Sequence, residues 1–144
     1  MAERHGRLLL LADDLLLASR VEAAARAAGW PVELPRGADA FWTAIRSERP
    51  ALVLVGMAAT RLPWEALVAD LKRDDALRTI PVLAFGPHQD AALRARARAA
   101  GCDRVVANSQ VVTELPRLLR ELGLAVASAT ERPTSQAAPQ IGSE

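Results

Sequence analysis

Ala51-Leu52-Val53-Leu54-Val55-Gly56-Met57 is the stretch on which the reading of this chain turns. It is apolar at every position from Ala51 to Val55, without the alternation that a half-solvated strand shows, and Arg49 and Pro50 lead into it. A short continuous run of this kind reads as a strand buried on both faces, which is the pattern of a parallel sheet covered by helices. Leu52 to Val55 is therefore expected at the centre of such a sheet. The run ends in Gly56, so the carboxyl end of that strand offers backbone and no side chain.

Short apolar runs and longer stretches of helical spacing alternate on both sides of this strand, as parallel strands joined by helices require. On the amino-terminal side, Leu8 to Leu11 reads as the first strand. Asp14 is a plausible N-cap for a helix with Leu17, Val21, Ala24 and Ala28 on one face, stopped at Gly29. Pro31 to Leu34 is flanked by prolines, which cannot donate ladder hydrogen bonds, so this second strand belongs at a sheet edge. A helix from Ala38 to Ser47 turns Phe41 and Ile45 inward.

On the carboxyl-terminal side, Pro63 suits a helix start, and Trp64, Leu67, Val68 and Leu71 fall at i, i+3, i+4 and i+7. Ile80 to Phe85 reads as the fourth strand, followed by a helix with Leu93, Ala97 and Ala100 inward that ends at Gly101. Val105 and Val106 mark the fifth strand. One last helix carries Leu115, Leu118, Leu119 and Leu122 inward, tolerates Pro116 only in its first turn, and ends at Gly123. The domain is expected to span residues 1–124. Residues 125–144, rich in Ala, Ser, Thr, Pro and Gln, lack the apolar content to offset the entropy of ordering and read as a flexible tail.

An edge second strand and a central third strand specify a doubly wound α/β sheet of order 2-1-3-4-5. Sheets of this kind carry their sites outside the carboxyl ends of strands one and three, where the winding reverses. That places Ala12, Asp13, Asp14 and Gly56 together, joined by Gly86 and Pro87 after the fourth strand and Asn108 and Ser109 after the fifth.

Composition excludes more than it assigns. With 144 residues, 51% of them apolar, the chain suits one domain burying about 70% of the surface its unfolded form exposes. Eighteen Lys and Arg against 17 Asp and Glu leave a net charge of +1, which produces no field favouring nucleic acid or an anionic membrane. The five aromatics form no stacking pattern for single strands. The single cysteine, Cys102, excludes an intrachain disulfide and reads as packing. Asp13 and Asp14 interrupt the leucines too early for a signal peptide, and no run approaches a membrane span, so a cytoplasmic protein is expected.

Four local texts, Leu8-Leu9-Leu10-Leu11-Ala12-Asp13-Asp14, Arg49-Pro50-Ala51-Leu52-Val53-Leu54-Val55, Ile80-Pro81-Val82-Leu83-Ala84 and Gly101-Cys102-Asp103, stand in the order and spacing of one known family. From about Arg7 to Leu122 the chain resembles, without gaps, the receiver domains of two-component response regulators. The resemblance implies the CheY-like (βα)5 fold and a place in signal transduction.

The functional residues that the resemblance implies are mostly absent. Asp13 matches the second acid of the family's magnesium pair, whereas Ala12 stands for the first. Gly56 stands for the phosphoacceptor aspartate, Gly86 for the Ser or Thr that senses the phosphoryl oxygens, and Asn108 for the lysine that pairs with them. Ser109 replaces the following proline, and Val105 the usual aromatic switch residue. A glycine cannot attack phosphorus or hold a metal. Asp13 and Asp14 alone make a poor magnesium site, because that ion wants near-octahedral oxygen ligation from carboxylates and phosphate.

The remaining candidates are few. His88 lies just beyond the fourth strand, but no Ser, Cys or second His accompanies it, and His5 stands in the amino terminus. Gly56 and Gly86 match no phosphate-cradling spacing. Arg94 and Arg98, with Arg117 and Arg120 on the last helix, mark a basic face where receivers commonly meet partners, by the resemblance. The expectation is a non-phosphorylatable pseudo-receiver that docks a regulatory protein partner or a second copy through the fourth helix, fifth strand and last helix. It has no assigned catalytic residue, cofactor or metal, and is expected not to be an enzyme. Two alternatives are a small-molecule sensor using the emptied pocket of Ala12, Asp13, Asp14, Gly56, Gly86 and Asn108, and a residual phosphorelay protein.

Overall fold

The computed structural model describes residues 6–59 and 61–126. Five strands, β1 (Leu8–Leu11), β2 (Val32–Glu33), β3 (Leu52–Gly56), β4 (Val82–Gly86) and β5 (Arg104–Ala107), alternate with α1 (Leu15–Ala27), α2 (Ala38–Ser47), α3 (Trp64–Arg73), α4 (Ala91–Ala100), α5 (Asn108–Thr113) and α6 (Leu115–Glu121). The strands pair in parallel in the order β2-β1-β3-β4-β5. This is the doubly wound architecture expected from the sequence.

The two-residue side-chain period of the strands divides the core into two layers. Leu8, Leu10, Leu52, Leu54, Leu83 and Phe85 face α1, α5 and α6, whose Ala18, Val21, Val111, Leu115 and Leu118 are buried against them. Leu9, Leu11, Val53, Val55, Val82 and Ala84 face α2, α3 and α4, meeting Phe41, Ile45, Trp64, Leu67, Leu71 and Ala97. Every residue of β3 is buried, which explains why its sequence shows no alternation.

Local signals set the element ends. Asp14 Oδ1 accepts the N–H groups of Leu16 at 3.0 Å and Leu17 at 3.1 Å, capping α1. Gly101 ends α4 in the left-handed conformation, at φ +112°. β2 is the short edge strand that its flanking prolines require.

Three details differ from the sequence reading. The inner face of α1 is centred on Ala18, Val21 and Ala25, leaving Leu17 and Ala24 half-buried at its margin, because the small alanines let the helix lie close on the sheet. The last helix is preceded by a further helix, α5, absent from the sequence reading, and the two are separated at Glu114, where φ is −120° and ψ is 19°. Pro116 has no N–H to continue the ladder and sits in the first turn of α6, where none is needed. Finally, Ala125 and Val126 still pack on the domain: the indole Nε1 of Trp30 donates to the Ala125 carbonyl at 2.7 Å, and Val126 lies against the α1 layer. The rest of the expected tail lies outside the described residues, as does His5.

Candidate functional site

The winding reverses between β1 and β3, and the carboxyl ends of these strands open into a cleft of about 410 Å³. Buried Gly56 and Phe85 meet half-buried Ala12, Asp13, Leu17 and Asn108 there, with Asp14 and Arg61 on the exposed side. Five of the six residues read from the sequence as the emptied pocket, Ala12, Asp13, Asp14, Gly56 and Asn108, therefore come together. Gly86 does not line the cleft.

Each group in the cleft can be followed from its element. β3 delivers Gly56 at its last position, paired with Phe85 of β4. A Cβ built on Gly56 would stand 3.4 Å from Ala12 Cβ, from the Leu11 carbonyl oxygen and from Phe85 Cε2, which is ordinary contact. The glycine is thus not demanded by crowding around its first side-chain atom. What it removes is the only side chain that β3 could have projected here.

Asp13 and Asp14 are both engaged in holding the backbone. Asp14 caps α1, while Asp13 Oδ2 accepts the backbone N–H of Arg61 at 2.7 Å, tying the loop after β3 to the end of β1. Among the described residues no group of three or more His, Cys, Asp or Glu side chains is arranged to hold a metal ion. Asn108 is the first residue of α5, whose start is secured when Gln110 Oε1 accepts the Ala107 N–H at 2.9 Å.

Gly86 is buried one residue beyond Phe85 and is covered by Met57, whose Cε would be 2.7 Å from a Cβ placed on that glycine. His88 is exposed in the turn before α4. Cys102 is half-buried after α4; burial, reinforced by the Asp103 carboxylate and opposed by Lys72, pushes its thiol up to about 12. That removes it as a nucleophile near neutral pH.

The four arginines of the expected basic face lie on two helices in opposite layers, with the edge strand β5 between them. Arg94 is half-buried on α4 and Arg98 exposed; Arg120 is exposed on α6. Arg117 is matched by Glu114, at the junction before its helix, and by Glu121 on it, and the hydrogen bond it donates to the Glu114 carboxylate raises its pKa above the ordinary range. Arg104 of β5 also reaches Glu121 at 3.1 Å. The positive character of this edge therefore rests on Arg94, Arg98 and Arg120.

Several site features escape sequence reading. Arg61 and Phe85 are brought to the site by the loop after β3 and by strand pairing. Leu15 and Leu16, 61% and 68% exposed, stand at the start of α1. Their exposure follows from the inward phase of Ala18 and Val21, a signal present in the sequence once that phase is known. Arg96 of α4 pairs with Glu65 and lies over the Trp64 ring, 6.0 Å from its centroid, joining α3 to α4. The Arg96 guanidinium holds the Glu65 carboxyl below its ordinary range.

No protein-family model matches the chain, and no curated protein matches its sequence. Solved structures do. A putative response regulator from Chloroflexus aurantiacus superposes with a TM-score of 0.72 at 18% identity, covering 83% of this chain and 99% of that one. The phosphorylated cyanobacterial phytochrome response regulator RcpA gives 0.69 at 16% identity, covering 87% and 100%. The signal receiver domain of a signal transduction histidine kinase from Syntrophus aciditrophicus gives 0.66 at 21% identity, covering 92% and 98%. The chain has the CheY-like receiver fold. None of its described helices is long and apolar enough to cross a membrane.

Proposed function

We propose that this chain is a pseudo-receiver, a non-enzymatic docking module of two-component-like signalling that works without aspartyl phosphate in the cytoplasm. The observation that carries the reading is Gly56: a receiver fold whose central strand ends without a nucleophile at the switch point. Asn108 and Ala12 beside it supply neither a cation nor a second carboxylate, and Asp13 and Asp14 are used as backbone acceptors. Docking would run through α4, β5 and α6, where Arg94, Arg98 and Arg120 favour an acidic protein partner or an acidic patch on a second copy.

The test has two arms. Incubation with a small phosphodonor and magnesium, followed by intact-mass analysis, is expected to leave the mass unchanged; a stable phosphoryl adduct would overturn the reading. Affinity capture with the wild type and with an Arg94→Glu, Arg98→Glu, Arg120→Glu variant is expected to lose a specific partner in the variant. The same partner retained by both would remove this face from the proposal.

A second reading is favoured by the cleft itself. A space of about 410 Å³ lined by polar Asp13, Asp14, Arg61 and Asn108 and by apolar Leu17 and Phe85 can admit a small ligand. A thermal-shift screen of metabolites separates the two, because a ligand bound only to the folded state raises Tm in proportion to its occupancy.

A further inference from the structure

A side chain on Gly86 would meet Met57 before anything else. The three nearest atoms to a Cβ at that position are Met57 Cε at 2.7 Å, Cβ at 3.4 Å and Cγ at 4.0 Å. Met57 is held in place at its backbone, its N–H donating to the Phe85 carbonyl at 2.8 Å, and its side chain is only 2% exposed. Met57 also borders a surface depression of about 340 Å³, lined further by Ala58, Ala59, Asp90, Ala92, Leu93 and Arg96. One flexible thioether thus separates the buried backbone of β4 from an open groove beside α4.

From this arrangement we infer that Met57 is a conformational wedge with two berths. Seated on Gly86, it leaves the groove beside α4 open. Displaced by any side chain at position 86, it swings into that groove against Leu93. Methionine has three rotatable bonds and adapts to irregular spaces, so the displacement needs rotation of its side chain and no rearrangement of the sheet. The atom in conflict is the far end of that side chain, which is the part freest to move. Glycine at 86 therefore does more than omit a functional group: it reserves the space that keeps the surface beside α4 in one arrangement. The inference deepens the proposed docking role by naming what controls the surface beside α4, but its test uses no partner, so either can fail without the other.

The chain has two methionines, Met1 and Met57, so methyl-labelled methionine gives an NMR spectrum in which Met57 is readily assigned. In the wild type, the Met57 methyl is expected to show a nuclear Overhauser contact to the Gly86 α-protons. In Gly86→Ser that contact is lost and one to the Leu93 methyls appears or strengthens. A wild-type Met57 methyl without contact to Gly86, or a Gly86→Ser protein in which the methyl stays away from Leu93, would overturn the inference. Should Gly86→Ser fail to fold, the Met57→Ala, Gly86→Ser double variant decides: recovery of folding supports Met57 as the obstacle, and persistent failure removes it.

Discussion

Asp13 Oδ2 accepts the backbone N–H of Arg61 at 2.7 Å, a bond between the end of β1 and the loop that follows β3. The residues are 48 positions apart, and the bond closes one side of the cleft at the switch point. An acid that the family resemblance associates with magnesium is here an anchor for backbone. Asp13→Ala should therefore lower stability by about 1.5 kcal/mol, the scale of a hydrogen bond to a charged group. Urea unfolding with an unchanged m-value measures it, and Asp13→Asn, which keeps an acceptor, should lose less.

Restoring the missing carboxylate tests how much of the lost chemistry resides at one position. Gly56→Asp is expected to fold, because the first side-chain atom meets its neighbours at ordinary contact distances. It is expected not to gain a phosphoryl group from a small phosphodonor, since Ala12 and Asn108 leave the metal and the transferred charge without their usual partners. Intact mass after incubation with magnesium reads the outcome directly.

Gly101 and Lys72 form a second point of close approach, away from the cleft. Lys72 Nζ donates to the carbonyls of Arg78 at 3.0 Å and Ile80 at 2.8 Å and pairs with Asp103 at 2.9 Å. A Cβ on Gly101 would lie 2.8 Å from Lys72 Cγ, and the glycine has φ +112°. Gly101→Ala should thus cost about 2 kcal/mol, combining the left-handed penalty with displacement of the lysine. Chemical denaturation of the variant checks the magnitude.

The Cys102 thiol gives a pH prediction with a definite sign. Its folded pKa, about 12, exceeds the ordinary value of 9.0 because burial disfavours the thiolate. The unfolded chain consequently loses this proton first as pH rises. The contribution to stability is complete below pH 9.0 and is lost progressively as pH climbs towards about 12. Cys102→Ala should flatten that part of the stability profile, and a thiol reagent at pH 8 should modify the native protein far more slowly than the denatured one.

The elements themselves were legible because each was signalled locally. The α2 range Ala38–Ser47 and the buried face of Trp64, Leu67, Val68 and Leu71 follow from 3.6-residue spacing, and the ends at Gly29 and Gly101 from the glycine preference for positive φ. The break at Glu114 was only half visible. Pro116 announces a helix start, but whether the residues before it form a separate helix depends on how Val111 seats in the α1 layer. Of the α1 face read from the sequence, Val21 and Ala28 are buried while Leu17 and Ala24 lie at its margin, because alanines carry too little apolar signal to define a face and close approach to the sheet selects them.

The α/β alternation, the edge place of β2, the central place of β3 and the absence of a side chain at position 56 are all readable from the residues alone, because they depend on periodicity, proline chemistry and residue identity. That Asp13 accepts the Arg61 N–H, that Met57 covers Gly86 and that Arg117 is matched by two glutamates emerges only once the chain is packed. Each of these is a contact set by strand register or helix placement. Such contacts are fixed by packing distances of a few tenths of an ångström that no one-dimensional pattern encodes.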